Sequence, residues 1–353
     1  MGHADTAAFA DTDADQALVA PLLAELGEHV RQGVRQALQG DERPYLDALL
    51  ADYPQRGGKL LRPCLCLAAA VATGGCIADA LPTAVAIELM HNALLVHDDI
   101  QDGSDQRRGR PTLHALHGVP LALNAGDALG LLSLSPLKAN AARLGPALAL
   151  RIAEETERMA WATTEGQALE LGWQHEGRTD IAEEDYLQMV LLKTCWLTTI
   201  HPLRTGCLIG SRGRMPLDGL IRVGFFAGAA FQIQDDVLNL CEAPAYGKER
   251  DGDLVEGKRT LLTTHALRHA GARERTRLQR LLAAPRGART AADVAWLRSL
   301  LQRCGSLDHA RQVAAALAGA GLAEFDRCFA DVPPSRERRF LRAVITWVLQ
   351  RSH

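Results

Sequence analysis

The sequence predicts an all-α fold, and three observations carry that prediction. Alanine and leucine dominate the 353 residues, and runs of β-branched or aromatic residues are rare, aromatics making up 5% of the chain. Most segments repeat apolar residues at three- and four-residue intervals, the spacing that gathers them on one face of a helix. In chain order the pattern predicts helices over 15–39, 45–52, 61–73, 81–101, 121–132, 143–171, 183–206, 217–240, 259–268, 274–283, 290–304, 307–318 and 336–351. The segments 81–101 and 217–240 are apolar on nearly every side, which places them inside a helical bundle. No repeat of 20 to 50 residues interrupts the chain, and breaks such as AAPRGAR (283–289) are short. Residues 15–353 therefore read as a single domain, preceded by a disordered lead over 1–14.

Composition narrows the function classes. With 47% hydrophobic and 23% charged residues and a net charge of -3, the chain reads as an ordinary soluble globular protein. It has no basic excess with which to bind nucleic acid. The eight cysteines (64, 66, 76, 195, 207, 241, 304 and 328) form no CxxC pair and no metal-type spacing, so they read as reduced core residues. MGHADTAAFADTDADQ is acidic and lacks the apolar stretch of a signal peptide. MGHADT fits the short myristoylation pattern, but nothing basic follows to supply a second anchor. The most apolar region, 63–96, is interrupted by Asp79, Pro82 and Glu88, so no transmembrane segment is expected and the expected location is cytoplasmic.

Chemistry concentrates in two acidic clusters. LLVHDDIQDGSDQRRGR (94–110) sets Asp98 and Asp102 one helical turn apart on one face, with Asp99 flanking them and arginines beyond. FQIQDDVLN (231–239) repeats the geometry with Asp235 and Asn239 one turn apart and Asp236 beside them. Carboxylates crowded at the ends of apolar helices repel one another, and enclosing them unanswered costs on the order of several kcal/mol per ion. An oxygen-only donor set calls for a hard cation, and Mg²⁺ commonly takes one or two carboxylates while leaving positions for water and substrate phosphate.

Lysine usage points the same way. Of 39 basic residues only Lys59, Lys138, Lys193, Lys248 and Lys258 are lysine. In an arginine-rich chain a retained lysine marks a place for a compact charge on a flexible stem, as a phosphate requires. Lys59 sits in RGGKLLRP (56–63) beside paired glycines and Arg62. Lys193 precedes Thr194 within a helical run, and Lys248 and Lys258 bracket YGKERDGDLVEGKRT (246–260).

Taken together, GGKLLRP, ELMHNALLVHDDIQD with its arginine pair, NAGDAL (124–129), Lys193-Thr194, FQIQDDVLNL, YGK and EGKRT resemble, in order, the trans-isoprenyl diphosphate synthases of the polyprenyl synthetase family. GSLDHARQVAAALAGAGLAEF (305–325) is similar to that family's last helices. The resemblance implies a bundle of the isoprenoid synthase type around a central substrate cavity, and a homodimer. It implies that Asp98, Asp102 and Asp235 hold magnesium, three ions with bound diphosphate, and that Asp99 and Asp236 support them. Arg107, Lys193, Thr194, Gln232, Lys248 and Lys258 would then line the site of an allylic diphosphate (dimethylallyl, geranyl or farnesyl). Lys59, Arg62, His91 and Arg108 would grip isopentenyl diphosphate. Ala93, Leu94 and Met90, upstream of Asp98, would set product length. The absence of an insertion in DDIQD, with DDVLN in the second cluster, resembles geranylgeranyl diphosphate synthases and implies a C20 product. Pro136 and His114 depart from the family's pattern. A class I terpene cyclase and a non-catalytic regulatory subunit stand as alternatives on the same fold.

Overall fold

The computed structural model describes residues 12–40, 42–240 and 251–350. Its first helix, α1 (Thr12–Leu38), buries Val19, Leu22, Leu26, Val30 and Val34, which recur every three or four residues. It begins at Thr12, so its first turn overlaps the expected lead. Next come α2 (Asp47–Gln55), the almost wholly buried α3 (Leu61–Ala72) and α4 (Ile77–Asp102). Gly103 ends α4 in the left-handed region at φ 62°, where glycine carries no Cβ penalty. A small hairpin follows, β1 (Gln106–Arg107) pairing antiparallel with β2 (Arg110–Pro111).

The middle of the chain is α5 (Leu113–His117), α6 (Val119–Leu132), α7 (Leu134–Leu144), α8 (Pro146–His175) and α9 (Glu183–Val190). α7 is absent from the sequence expectation because Pro136 reads as a break. Pro136 lies in the helix's first turn, where its missing N–H has no intrahelical acceptor to lose. After α9 the chain continues without interruption through a π-helical stretch, Leu191–Ile200, into α10 (His201–Gly210). The expected single helix over 183–206 thus changes its winding at its centre.

The rest comprises α11 (Asp218–Asn239), α12 (Gly252–Glu256), α13 (Leu261–His269), α14 (Ala272–Ala283), α15 (Ala291–Arg303), α16 (Ser306–Cys328) and α17 (Arg336–Gln350). α16 runs ten residues beyond the expected end at 318, since Gly319 and Gly321 lie within it without breaking it. No described helix is long and apolar enough to cross a membrane. The described cysteines, 64, 66, 76, 195, 207, 304 and 328, are free thiols.

α3 packs between α4 and α10, α16 lies along α11, and the π stretch is wedged between α8 and α11. Close approach at that wedge depends on small residues. A Cβ added at Gly166 of α8 would stand 2.2 Å from the Lys193 backbone nitrogen, and one at Gly228 of α11 would stand 2.8 Å from Cys195 Sγ. Such contacts require displacement, because a packed interior has no slack to absorb a methyl group. The replacement Gly166→Ala is therefore expected to lower stability by about 1–3 kcal/mol and to reduce turnover more than its stability loss explains. Thermal unfolding and steady-state kinetics on the folded variant check this, and an unchanged kcat would show that the α8 contact does not position Lys193.

Candidate active site

The ends of α4 and α11 meet the π stretch around a cavity of about 260 Å³. Asp98, Arg107, Glu170, Lys193, Thr194, Gln232, Asp235, Asp236 and Lys258 line it on the polar side, and Arg62 and His91 reach its wall as well. Leu94, Met189, Val190, Leu197 and Phe231 form an apolar side.

The two acidic clusters divide their carboxylates in the same way. Asp99 is fully buried and off the cavity wall. Its carboxylate accepts two bonds of 2.8 Å from Arg107 Nε, one to each oxygen, and another from the Tyr53 hydroxyl. Asp236 accepts from Tyr186 Oη at 2.7 Å and from Gln232 Nε2 at 2.8 Å. Asp98 and Asp235 line the cavity, and the buried Asp236 also reaches its wall. Consecutive residues on a helix point about 100° apart, which lets the second member of each pair fasten the helix end to neighbouring elements.

Asp102 stands behind Lys258, which donates to it at 2.8 Å and lies 2.9 Å from Glu256. Burial, with Asp98, Glu256 and Glu170 nearby, pushes Asp102 up to about 7 despite that lysine. Burial likewise pushes Asp236 up to about 8, helped by Asp253 and Asp235. Lys193 bonds Glu170 and approaches Asp98 at 3.4 Å. Burial works against its charge, but Glu170 and Asp98 outweigh it, so the ammonium is held firmly protonated. Thr194 donates to Gln232 Oε1 at 2.9 Å, which completes a chain from the π stretch through Gln232 to Asp236.

On the other flank Arg62 Nη1 lies 3.3 Å from His91 Nε2. Burial and the arginines 62, 108 and 107 hold His91 well below the usual histidine range, so its neutral ring accepts from Arg62. Lys59 and Arg108 stand outside the cavity wall. The Arg108 guanidinium bonds the Gly57 carbonyl and packs on Gly58, while Lys59 Nζ lies 5.2 Å from the Trp347 ring centre. The expected product-length residues separate as well. Leu94 is on the wall, whereas Ala93 is buried toward Gly130 of α6 and Met90 lies off the wall. Lys248 falls outside the described residues.

Several site residues escaped the sequence reading. Glu170, Tyr53 and Tyr186 engage the clusters, yet none belongs to an acidic run, and Asp253 lines the cavity from within the stretch 246–260 that its lysines marked. The final position of DDVLN has a separate role. Asn239 is off the wall and its side-chain oxygen accepts from the Asp253 backbone N–H at 3.2 Å.

Among the described residues no three acidic, His or Cys side chains converge to cage an ion. The donor set nevertheless fits magnesium, which is commonly held by one or two carboxylates together with substrate phosphates. The cavity offers Asp98 and Asp235 for this, with Asp102 one contact behind.

Comparison with known proteins agrees with this geometry. The family model for polyprenyl synthetase matches residues 43–301. A short chain isoprenyl diphosphate synthase of Methanothermobacter thermautotrophicus is 35% identical over 73% of this chain and 77% of its own length. A (2E,6E)-farnesyl diphosphate synthase of Mycobacterium tuberculosis is 35% identical over 80% of each chain. The crystal structure of a geranylgeranyl pyrophosphate synthase from Corynebacterium glutamicum, complexed with isoprenyl diphosphate and magnesium, superposes with a TM-score of 0.83 at 26% identity, covering 93% of this chain and 99% of that one. A cavity greasy on one side and ringed by carboxylates and cations on the other, within a chain matched over most of its length, identifies this protein as a member of the polyprenyl synthetase family, a chain-elongating isoprenyl diphosphate synthase.

Proposed function

We propose that the protein condenses an allylic diphosphate with isopentenyl diphosphate in the presence of magnesium, and that its main product is the C20 geranylgeranyl diphosphate. The observation that carries the reading is the two-sided cavity, in which Asp98, Asp235, Lys193 and Lys258 ring one end and Leu94, Leu197 and Phe231 wall the other. Such a space suits a substrate charged at one end and apolar along its tail.

Magnesium bound at Asp98, Asp102 and Asp235 would neutralise the departing diphosphate. Lys193, Lys258 and Arg107 add fixed positive charge at the same end, already oriented by Glu170, Glu256 and Asp99. Charge placed before the reaction lowers the barrier to ionisation of the allylic C–O bond without reorganising during it. Thr194 and Gln232 present oxygen dipoles beside the resulting cation, and the apolar wall keeps water from it. Arg62 and His91 form the flank assigned to isopentenyl diphosphate, with Lys59 and Arg108 at the neighbouring glycine turn. The isopentenyl double bond then attacks the cation, and a proton passes to the released diphosphate, leaving an alkene five carbons longer.

The C20 reading rests on the form of both aspartate clusters and on Leu94 as a wall residue. A homodimer is supported by the apolar side chains exposed along α6 to α8, namely Leu121, Leu123, Leu131, Leu134, Leu150 and Trp161.

With isotope-labelled isopentenyl diphosphate and each short allylic primer, the wild-type protein is expected to form C20 as its main product. Chelation with EDTA should abolish turnover, and Lys193→Ala should reduce kcat by about a hundredfold or more. Activity that survives chelation, or a hydrocarbon formed from geranylgeranyl diphosphate alone, would overturn the assignment. The substitutions Leu94→Phe and Ala93→Phe are each expected to shorten the product, and an unchanged distribution for both would remove this stretch of α4 from the tunnel. Sedimentation should give the mass of two chains, shifted toward one by Trp161→Glu with Leu131→Asp; a wild-type monomer would refute the dimer.

A further inference from the structure

A second cavity, of about 280 Å³, lies beside the first and shares Gln101 and Arg259 with it. Its other walls include Gln174 at the end of α8, Arg289, and the apolar stretch 282–285. Two buried donors there have no acceptor among the described residues. Arg259 is only 3% exposed; its Nε donates to the Arg178 carbonyl at 2.9 Å and its Nη1 to the Gly257 carbonyl at 2.7 Å, which leaves Nη2 unanswered. Gln174 Nε2 is likewise buried without a partner. Buried donors without acceptors are rare because each forfeits its hydration.

Arg289 spends its nitrogens on the carbonyls of Leu281, Val255, Leu282 and Ala284, so neither it nor Arg259 has a carboxylate partner among the described residues. Asp102 and Glu256 also border the cavity, but both are held by Lys258. Burial, with Arg289 nearby, pushes Arg259 down to about 10. Arg259 Nη2 and Gln174 Nε2 are thus two buried donors on the wall of one cavity, whose bordering carboxylates are engaged by Lys258, and an oxyanion would accept from both together.

We propose that this second cavity is a metal-independent oxyanion site, filled by free phosphate or by one phosphoryl group of released diphosphate. Occupancy places a negative charge beside Arg259, the residue next to Lys258, and so couples the level of the free anion to the main cavity. The metal-free binding step does not depend on the reaction or product length given above, so its failure and theirs are separable.

The test titrates the full chain with inorganic phosphate, and in a separate arm with inorganic diphosphate, in EDTA at constant ionic strength, reading binding by calorimetry. Saturable phosphate binding is expected, weakened about tenfold or more by Gln174→Glu, which sets a like charge against the anion, and unaffected by Lys193→Ala in the main cavity. The diphosphate arm identifies the source: the tighter ligand of the two is the natural occupant. Arg259→Gln should act in the same direction, with Gln174→Glu decisive because it leaves the Arg178 and Gly257 contacts intact. Circular dichroism and melting confirm that both variants fold. No saturable binding of either anion, an equal response to chloride, or binding lost with Lys193→Ala but kept in Gln174→Glu would overturn the proposal; the first outcome would mean that water fills the cavity.

Discussion

Carboxylates gathered at the ends of buried apolar helices must be answered by hydroxyls, amides or cations, and the arrangement of the molecule follows from how each is answered. An isolated buried carboxylate costs on the order of several kcal/mol, whereas a hydrogen bond to a charged group returns about 1.5–3 kcal/mol. Hydrogen bonds of this kind answer Asp99, and they answer Asp236 only in part, since burial still pushes its carboxyl up. Their partners come from α2, the β1 hairpin, α9 and α11, so the requirement of two carboxylates ties together four separate parts of the chain. The outward carboxylates, Asp98 and Asp235, are left to face the cavity on rigid ground.

The cations obey the same constraint in reverse. Lys193 is shared between Glu170 and Asp98, and Lys258 among Asp102, Glu256 and Asp253. Each ammonium is thus held near the cavity by more than one carboxylate, and none of these attachments is exclusive. In the proposed reaction a diphosphate entering with its counter-ions would exchange one set of oxygen partners on these lysines for another. The π-helical winding belongs to this scheme, since it presents Lys193 and Thr194 as neighbours to two different partners, Glu170 on α8 and Gln232 on α11.

Much of this was legible in the sequence, because local spacing decides it. The all-α class, the two central helices and the outward aspartates follow from periods of three and four. The chain-scarce lysines pointed to Lys193 and Lys258 for the same reason, that a residue type kept against the composition has a local use. What was not legible depends on contacts distant in the chain. Tyr53 meets Asp99 across 46 positions and Tyr186 meets Asp236 across 50, and neither tyrosine stands out among its neighbours. Glu170 reads as one charge on an amphipathic helix until Lys193 is placed against it. The helix α7 was hidden by Pro136, whose effect depends on which turn it occupies, and the π stretch has no signature in the apolar period.

Asn239 also bears on how the segment after α11 can change. Its backbone oxygen accepts from the Asp251 N–H and its side-chain oxygen from the Asp253 N–H, each at 3.2 Å, so the chain leaves one residue and returns to it twelve and fourteen positions later. A segment whose two ends are fastened at one point adds little to the free energy of folding when its length varies, about 0.6 kcal/mol for each doubling. The loop-closure cost of a longer or shorter connection between Asn239 and Asp251 is therefore small. A change in the number of residues between these two anchor points is expected to cost the helices on either side about as little as that closure term.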